Sequence, residues 1–227
     1  MTGTLYGLGV GPGDPELITL KALRILRACP VVAYLAANEA ESFARTIVAG
    51  HLPGGQTEIP IRIAMSADPA PGQAVYDQAA EALAGHLAAG RDVAVPCEGD
   101  PFFYGSFQYL FTRLAGRFPV RVVPGVSSLT ATAAAVPVPL VSRNDVLTVL
   151  PAPLDASVLR ARLAATDAAV VMKLGRHFDK VRGVLDELGR TPRSLYVERA
   201  GLEGQRVLPL AEVVPPVPYF SMILVPR

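Results

Sequence analysis

The chain has 227 residues, of which 51% are apolar and only 18% charged, with a formal net charge of +1. That length and apolar content suit one large or two small packed domains and exclude a disordered chain. The near-zero charge argues against a non-specific nucleic-acid binder, which carries a basic excess.

The opening "MTGTLYGLGV" has no basic leader region and runs straight into a strand. No apolar run reaches the roughly 20 residues of a spanning helix, so the expectation is a soluble, cytoplasmic chain without a membrane partner. After the strand at 4–10, "GPGDP" makes a break. The spacing of "ELITLKALRILRAC" then predicts a helix over 16–29, capped by Asp14 with Pro15 in its first turn. A second strand follows at 31–36, a short helix around 41–50, and a third strand at 58–63. The alanine-rich stretch 72–90 reads as a helix stopped by Gly90, and "DVAVPC" (92–97) as a buried strand. A helix over 104–116 and a strand over 119–123 complete this half. Strand and helix alternate throughout, which implies a mostly parallel five-stranded sheet with both faces covered.

The stretch "PGVSSLTATAAAV" (124–136) turns into another helix, and "PVPL" then acts as a rigid connector. Strands at 146–151 and 168–174 alternate with helices near 155–165 and 177–188. Three last strands, in "SLYVERA", "QRVLPL" and "YFSMILV", have short connections and must include antiparallel pairs. The expected domains are 1–123, α/β with the parallel sheet, and 124–227, α/β with a mixed sheet.

Ligands of parallel sheets bind at the carboxyl ends of the strands, so the loops there are the candidate site. In "GLGVGPGDP", Gly7, Gly9, Gly11 and Gly13 alternate, which leaves one bare strand face for a ligand or another backbone. A dinucleotide fingerprint fails, because Pro12, Asp14 and Glu16 stand where its third glycine belongs and no acid ends the second strand. A phosphate-binding loop fails for want of Gly-Lys-Ser/Thr. The second loop, "CEGDPFFYGSFQ" (97–108), joins glycines, acids and aromatics. Phe107 and Phe111, four apart, read as core, whereas Phe103 suits either a core or a flat ligand wall. In "VPGVSS", Ser127 and Ser128 either cap the next helix or offer hydroxyls. Cys29 and Cys97 lie far apart, and His51, His86 and His177 stand singly, so no metal site is expected.

Taken together, "VGPGDPELITLKALRIL", "EGDPFFYG", "VPGVSS" and "ERA" resemble, in this order and across the whole chain, the tetrapyrrole (corrin and porphyrin) methyltransferases. "CEGDPFFYGSFQYLF", "SRNDVLTVLP" and "IAMSADP" most resemble the branch that methylates C(20) of precorrin-2 in cobalamin biosynthesis. The resemblance implies S-adenosylmethionine, without metal, in a cleft between two α/β domains of a homodimer, and a tetrapyrrole as the other substrate. It assigns Pro12, Glu98, Gly99, Asp100, Phe103, Ser127 and Ser128 to the cofactor. Leu174 or Met172 would press on the adenine, with Leu174 the better match through Gly175, and Ala200 and Ser221 would close that pocket. Glu98 and Tyr104 are the candidates for removing a proton from the methylated carbon. Gly11, Gly13, Arg143, Lys173 and Arg199 are assigned to the substrate, whose carboxylates call for cations. Methyl transfer to RNA or to a protein side chain is the rival enzyme reading, and a nucleotide-binding regulatory module the rival without catalysis.

Overall fold

The computed structural model describes residues 1–37, 41–63 and 70–227. The part of "IAMSADP" beyond Ile63 lies outside them. The described chain divides into two compact units, Met1–Ser127 and Ser128–Arg227. The sequence placed this division at 123/124.

The first unit contains β1 (Leu5–Gly9), α1 (Leu20–Ala28), β2 (Val31–Ala37), α2 (Phe43–Val48), β3 (Thr57–Ile63), α3 (Ala70–Ala88), β4 (Val93–Cys97), α4 (Phe107–Leu114) and β5 (Val120–Val123). Its five strands form one sheet in the order β3-β2-β4-β1-β5, every pair parallel. Strand alternation sends Val31, Ala33, Val93, Val95 and Cys97 into a core with α3 and α4. Val32 and Ala94 go to the opposite core with α1 and α2. A strand buried on both faces must be apolar at successive positions, as all five residues of β4 are. Each leucine buried in these cores contributes about 1.5–3 kcal/mol.

Two helices start later than the sequence pattern predicts. Asp14 does cap, but it accepts from the Glu16 N–H of a 3-10 turn at Pro15–Leu17. Ile18 is then extended, and Thr19 is the residue that caps α1, accepting from the Ala22 N–H. At α4, Tyr104 has φ +56° and Gly105 is wedged against the Asp100 and Pro101 carbonyls, so helix begins only at Phe107.

The second unit contains α5 (Ser128–Ala135), β6 (Leu147–Pro151), α6 (Ala156–Ala164), β7 (Ala168–Met172), α7 (Phe178–Glu187), β8 (Leu195–Glu198), β9 (Arg206–Pro209) and β10 (Ser221–Val225). The sheet order is β6-β7-β10-β8-β9. β6 and β7 are parallel, and the β7–β10, β10–β8 and β8–β9 pairs are antiparallel. Helices α6 and α7 cover one face around Leu159, Leu163, Phe178 and Val181. The other face carries α5 and the Val136–Leu140 connector over Val170, Val197 and Leu224.

Both cysteines are buried. Loss of solvation, with Asp92 adding to it, pushes the Cys29 thiol up to about 12, and burial beside Glu98 and Asp100 pushes Cys97 well up too. The unfolded thiols lose their protons near pH 8.5 while the folded ones keep theirs. Their contribution to stability is therefore complete below about pH 8.5 and is lost as pH rises from there toward 12. We expect neither thiol to react with a disulfide reagent at pH 8 until the chain unfolds; prompt labelling of the native protein would contradict the burial.

Candidate active site

Strands β4, β1 and β5 are adjacent and parallel, so the three loops that leave their carboxyl ends emerge at one edge of the sheet. Backbone contacts stitch these loops together. The Val10 N–H donates to the Cys97 carbonyl at 3.0 Å, and the Gly99 N–H donates to the Gly11 carbonyl at 2.7 Å. Gly11 (φ +83°) and Gly99 (φ +67°) pair as an isolated antiparallel bridge in a left-handed conformation that a Cβ disfavours. On the other side of β1, a Cβ on Gly9 would stand 2.4 Å from the Gly125 nitrogen and 2.8 Å from the Gly99 oxygen. The bare strand face is thus filled by backbone at Gly9. At Gly7 it is filled by the Phe107 ring, 2.5 Å from where a Cβ would lie.

Asp100 is the polar tie. One carboxylate oxygen accepts from the Phe102 N–H (2.9 Å) and the other from the Gly125 N–H (3.0 Å). The first shapes its own loop, and the second binds that loop to the one after β5. The aromatics divide accordingly. Phe107 is fully buried, and Phe102 and Phe111 pack around it. Phe103 is half-buried and meets an exposed Tyr104 edge-on, with centroids 5.1 Å apart. Pro12 and Gly13 are buried within the first loop, and Ser127 precedes α5, whose first residue is Ser128.

Glu98 is left on the rim of this cluster with an exposed side chain. Protein nevertheless crowds it on enough sides to hold its carboxyl above the ordinary range, because fewer waters solvate the charge; its own backbone N–H opposes the effect. The rim therefore presents one carboxylate short of solvent and one aromatic face. Such a set suits a small molecule with a positive charge and a flat ring. Among the described residues, no three His, Cys, Asp or Glu side chains gather as a metal site requires. A cavity of about 590 Å³ lies instead between α2 and the β2–β3 edge. Its Arg45 and Glu58 are spent on each other in a two-bond pair of 2.7 and 3.1 Å, so the stitched loops remain the stronger candidate.

In the second unit, Met172 is 8% exposed at the end of β7, on the face shared with Val170. Leu174 is fully buried in the core that contains α6 and α7. Its side chain is committed there, and its carbonyl accepts from the His177 N–H at 2.8 Å. Ser221 is buried opposite Glu198 in the β10–β8 ladder and donates to the Pro218 carbonyl at 2.6 Å. Ala200 is partly buried. Lys173 and Arg199 directly follow β7 and β8, at the sheet edge where β10 begins. Arg143 lies in the turn before β6, near the Asp145–Arg227 ion pair, at the opposite edge.

Sequence reasoning missed Glu198. This buried carboxylate accepts from the Tyr196 hydroxyl and, at 3.2 Å, from Arg206. Its signal was the Tyr-x-Glu spacing, which puts both groups on one strand face.

Residues 4–214 match the tetrapyrrole (corrin/porphyrin) methylases. The chain is 47% identical over 233 residues to the cobalamin biosynthesis protein CobIJ of Mycobacterium bovis; the match covers 99% of this chain and 46% of that protein. The chain thus spans about half the length of that relative. It is 42% identical to the precorrin-2 C(20)-methyltransferase of Sinorhizobium sp, covering 99% of this chain and 95% of that one. Among solved structures, it is similar to the uroporphyrin-III C-methyl transferase from Thermus thermophilus complexed with S-adenyl homocysteine. There the TM-score is 0.71 and the identity 29%, with 98% of this chain and 97% of the other covered. The sequence match over nearly its whole length and the shared fold make the chain a member of the tetrapyrrole (corrin/porphyrin) methylase family.

Proposed function

We propose that this chain is an S-adenosylmethionine-dependent C-methyltransferase that methylates C(20) of precorrin-2 in cobalamin biosynthesis. The observation that carries the reading is the stitched loop cluster with Glu98 and Phe103 on its rim, in a chain 42% identical over 99% of its length to a precorrin-2 C(20)-methyltransferase. The residues present fit the cofactor: a carboxylate short of solvent for its positive charge, an aromatic face for its flat base, and left-handed glycines that let backbone approach.

When bound, S-adenosylmethionine supplies an activated methyl group on a positively charged sulfur that departs as a neutral thioether. The chain's task is then mostly alignment, which is worth up to about 7–11 kcal/mol. Asp100 holds two of the loops that do the aligning. Glu98 faces the positive charge and, with crowding by protein holding its carboxyl above the ordinary range, is suited to take the proton that the methylated carbon must lose. Tyr104, in the same loop, is the other candidate for that proton. Pro12, Gly99, Phe103, Ser127 and Ser128 complete the cofactor's surroundings in this reading. Met172, the better placed of the two candidates because the Leu174 side chain lies in the core, serves the adenine with Ala200 and Ser221. A homodimer in the cytoplasm belongs to the same reading, supported by the family resemblance, and light scattering of the purified chain tests the dimer.

The test is incubation with precorrin-2 and isotopically labelled methyl donor under exclusion of oxygen, in parallel with the cobalt-containing form. Carbon NMR should place the label on the meso carbon C(20). Label on a pyrrole carbon would retain methyl transfer and remove the C(20) assignment. We further expect Glu98→Gln to weaken S-adenosylmethionine binding about tenfold while leaving that of S-adenosylhomocysteine, whose sulfur is neutral, within twofold, since only the former loses a partner for its sulfonium charge. Equal losses for the two ligands in calorimetry would remove the charge role.

A further inference from the structure

Lys173 (φ +62°) and Arg199 (φ +54°) both sit in left-handed backbone, which disfavours any residue with a Cβ. Tyr104, Pro137 and Arg143 also have positive φ, but among the described residues only Lys173 and Arg199 directly follow strands on either side of the same neighbour. β10 runs antiparallel between β7 and β8, with Met222 opposite Met172 and Ser221 opposite Glu198. The two cations therefore flank the start of β10. Their backbones stand two strand spacings apart, about 10 Å.

The surrounding structure fixes both turns. The Arg199 N–H donates to the Phe220 carbonyl at 3.2 Å, and the Gly175 N–H just past Lys173 donates to the Pro218 carbonyl at 3.3 Å. Immediately before Arg199, buried Glu198 is gripped by Tyr196 and Arg206. The Arg199 guanidinium lies over Gly204, where a Cβ would stand 3.4 Å from it, and remains exposed. Lys173 is half-buried. Glycine at either position would relieve the backbone, and the chain does place left-handed glycines close by, at Gly175 and Gly201. At the two positions flanking β10 it carries cations instead.

We propose that Lys173 and Arg199 are a matched, specificity-determining pair that seats two carboxylates of the acceptor, with Glu198 as the buried anchor of the Arg199 turn. The proposal rests on the reading under Proposed function and names the residues that set the ring's rotation. Arginine grips a carboxylate with a planar two-donor fork, whereas lysine acts as a point charge. Two such contacts, made from backbones two strand spacings apart, fix which carbon of the ring faces the methyl donor. Arg143, at the other sheet edge, has no part in this pair.

The test compares the full-length parent with Lys173→Met, Arg199→Met, Lys173→Gly and Arg199→Gly. Each Met variant should raise KM for precorrin-2 about tenfold while S-adenosylhomocysteine affinity stays within twofold. Each Gly variant should show the same rise in KM yet melt a few degrees higher, because the strain is gone. A merely structural role would move the melting point and not KM. A parent that binds no S-adenosylhomocysteine overturns the functional reading and the pair with it. A parent that binds and methylates, while both Met variants keep KM within twofold, overturns the pair alone. Gly variants that melt lower than the parent also overturn it, since the left-handed turns would then be held for stability.

Discussion

Gly125→Ala is expected to abolish S-adenosylhomocysteine binding and to cost about 3 kcal/mol of stability, the upper end for an overpacked site. The new Cβ would lie 2.1 Å from the Gly99 oxygen and 2.7 Å from the Gly9 Cα. Both neighbours are backbone, so no side chain can rotate away, and the loops after β1, β4 and β5 must separate. That separation would also pull the Gly125 N–H from Asp100, to which it now donates at 3.0 Å. Gly85→Ala is the control. It lies within α3 with nothing inside 4 Å of the added Cβ, so it should leave binding intact and stabilise the helix by up to about 1 kcal/mol. Calorimetry and urea unfolding check both variants. A Gly125→Ala protein that binds and unfolds like its parent would mean that the three loops do not meet as described.

The glycine alternation at 7–13 announced a bare strand face, and the strand–helix alternation announced a parallel sheet with its loops at one edge. What covers that face was not legible. At Gly9 it is the Gly125 backbone, more than a hundred residues along the chain, because β5 pairs with β1 in the sheet order. Sequence spacing does not encode which strands become neighbours. The start of α1 was misread because Asp14-Pro15 is a good cap signal in its own right; the turn it starts ends at Leu17, and extended Ile18 separates it from Thr19. Leu174 illustrates a different limit. A motif match aligns positions, not side-chain directions, and its side chain enters the core with α6 and α7. The left-handed turns at Lys173 and Arg199 were hidden because residue type argues against them. Glu198 was hidden because a strand glutamate reads as a solvent face until a tyrosine and an arginine are found to satisfy it.

Asp100→Asn is expected to weaken S-adenosylhomocysteine binding about 30-fold, and Asp100→Ala by at least as much. A carboxylate only accepts, and both of its oxygens are in use, one by the Phe102 N–H and one by the Gly125 N–H. Asparagine keeps one acceptor and turns an NH2 toward the other N–H, so one charge-assisted bond is replaced by two opposed donors. Bonds to charged groups contribute about 1.5–3 kcal/mol, and a loss near 2 kcal/mol corresponds to that 30-fold change. Family resemblance assigns Asp100 to the cofactor itself, whereas the geometry gives its oxygens to the loops. Hydrogen exchange separates these roles. If Asp100 acts through the loops, the amides of Phe102 and Gly125 should exchange faster in both variants in proportion to the affinity lost. If those amides stay protected while affinity falls, Asp100 touches the cofactor directly and its tie between the loops is incidental. Unchanged affinity in both variants would remove Asp100 from the site altogether.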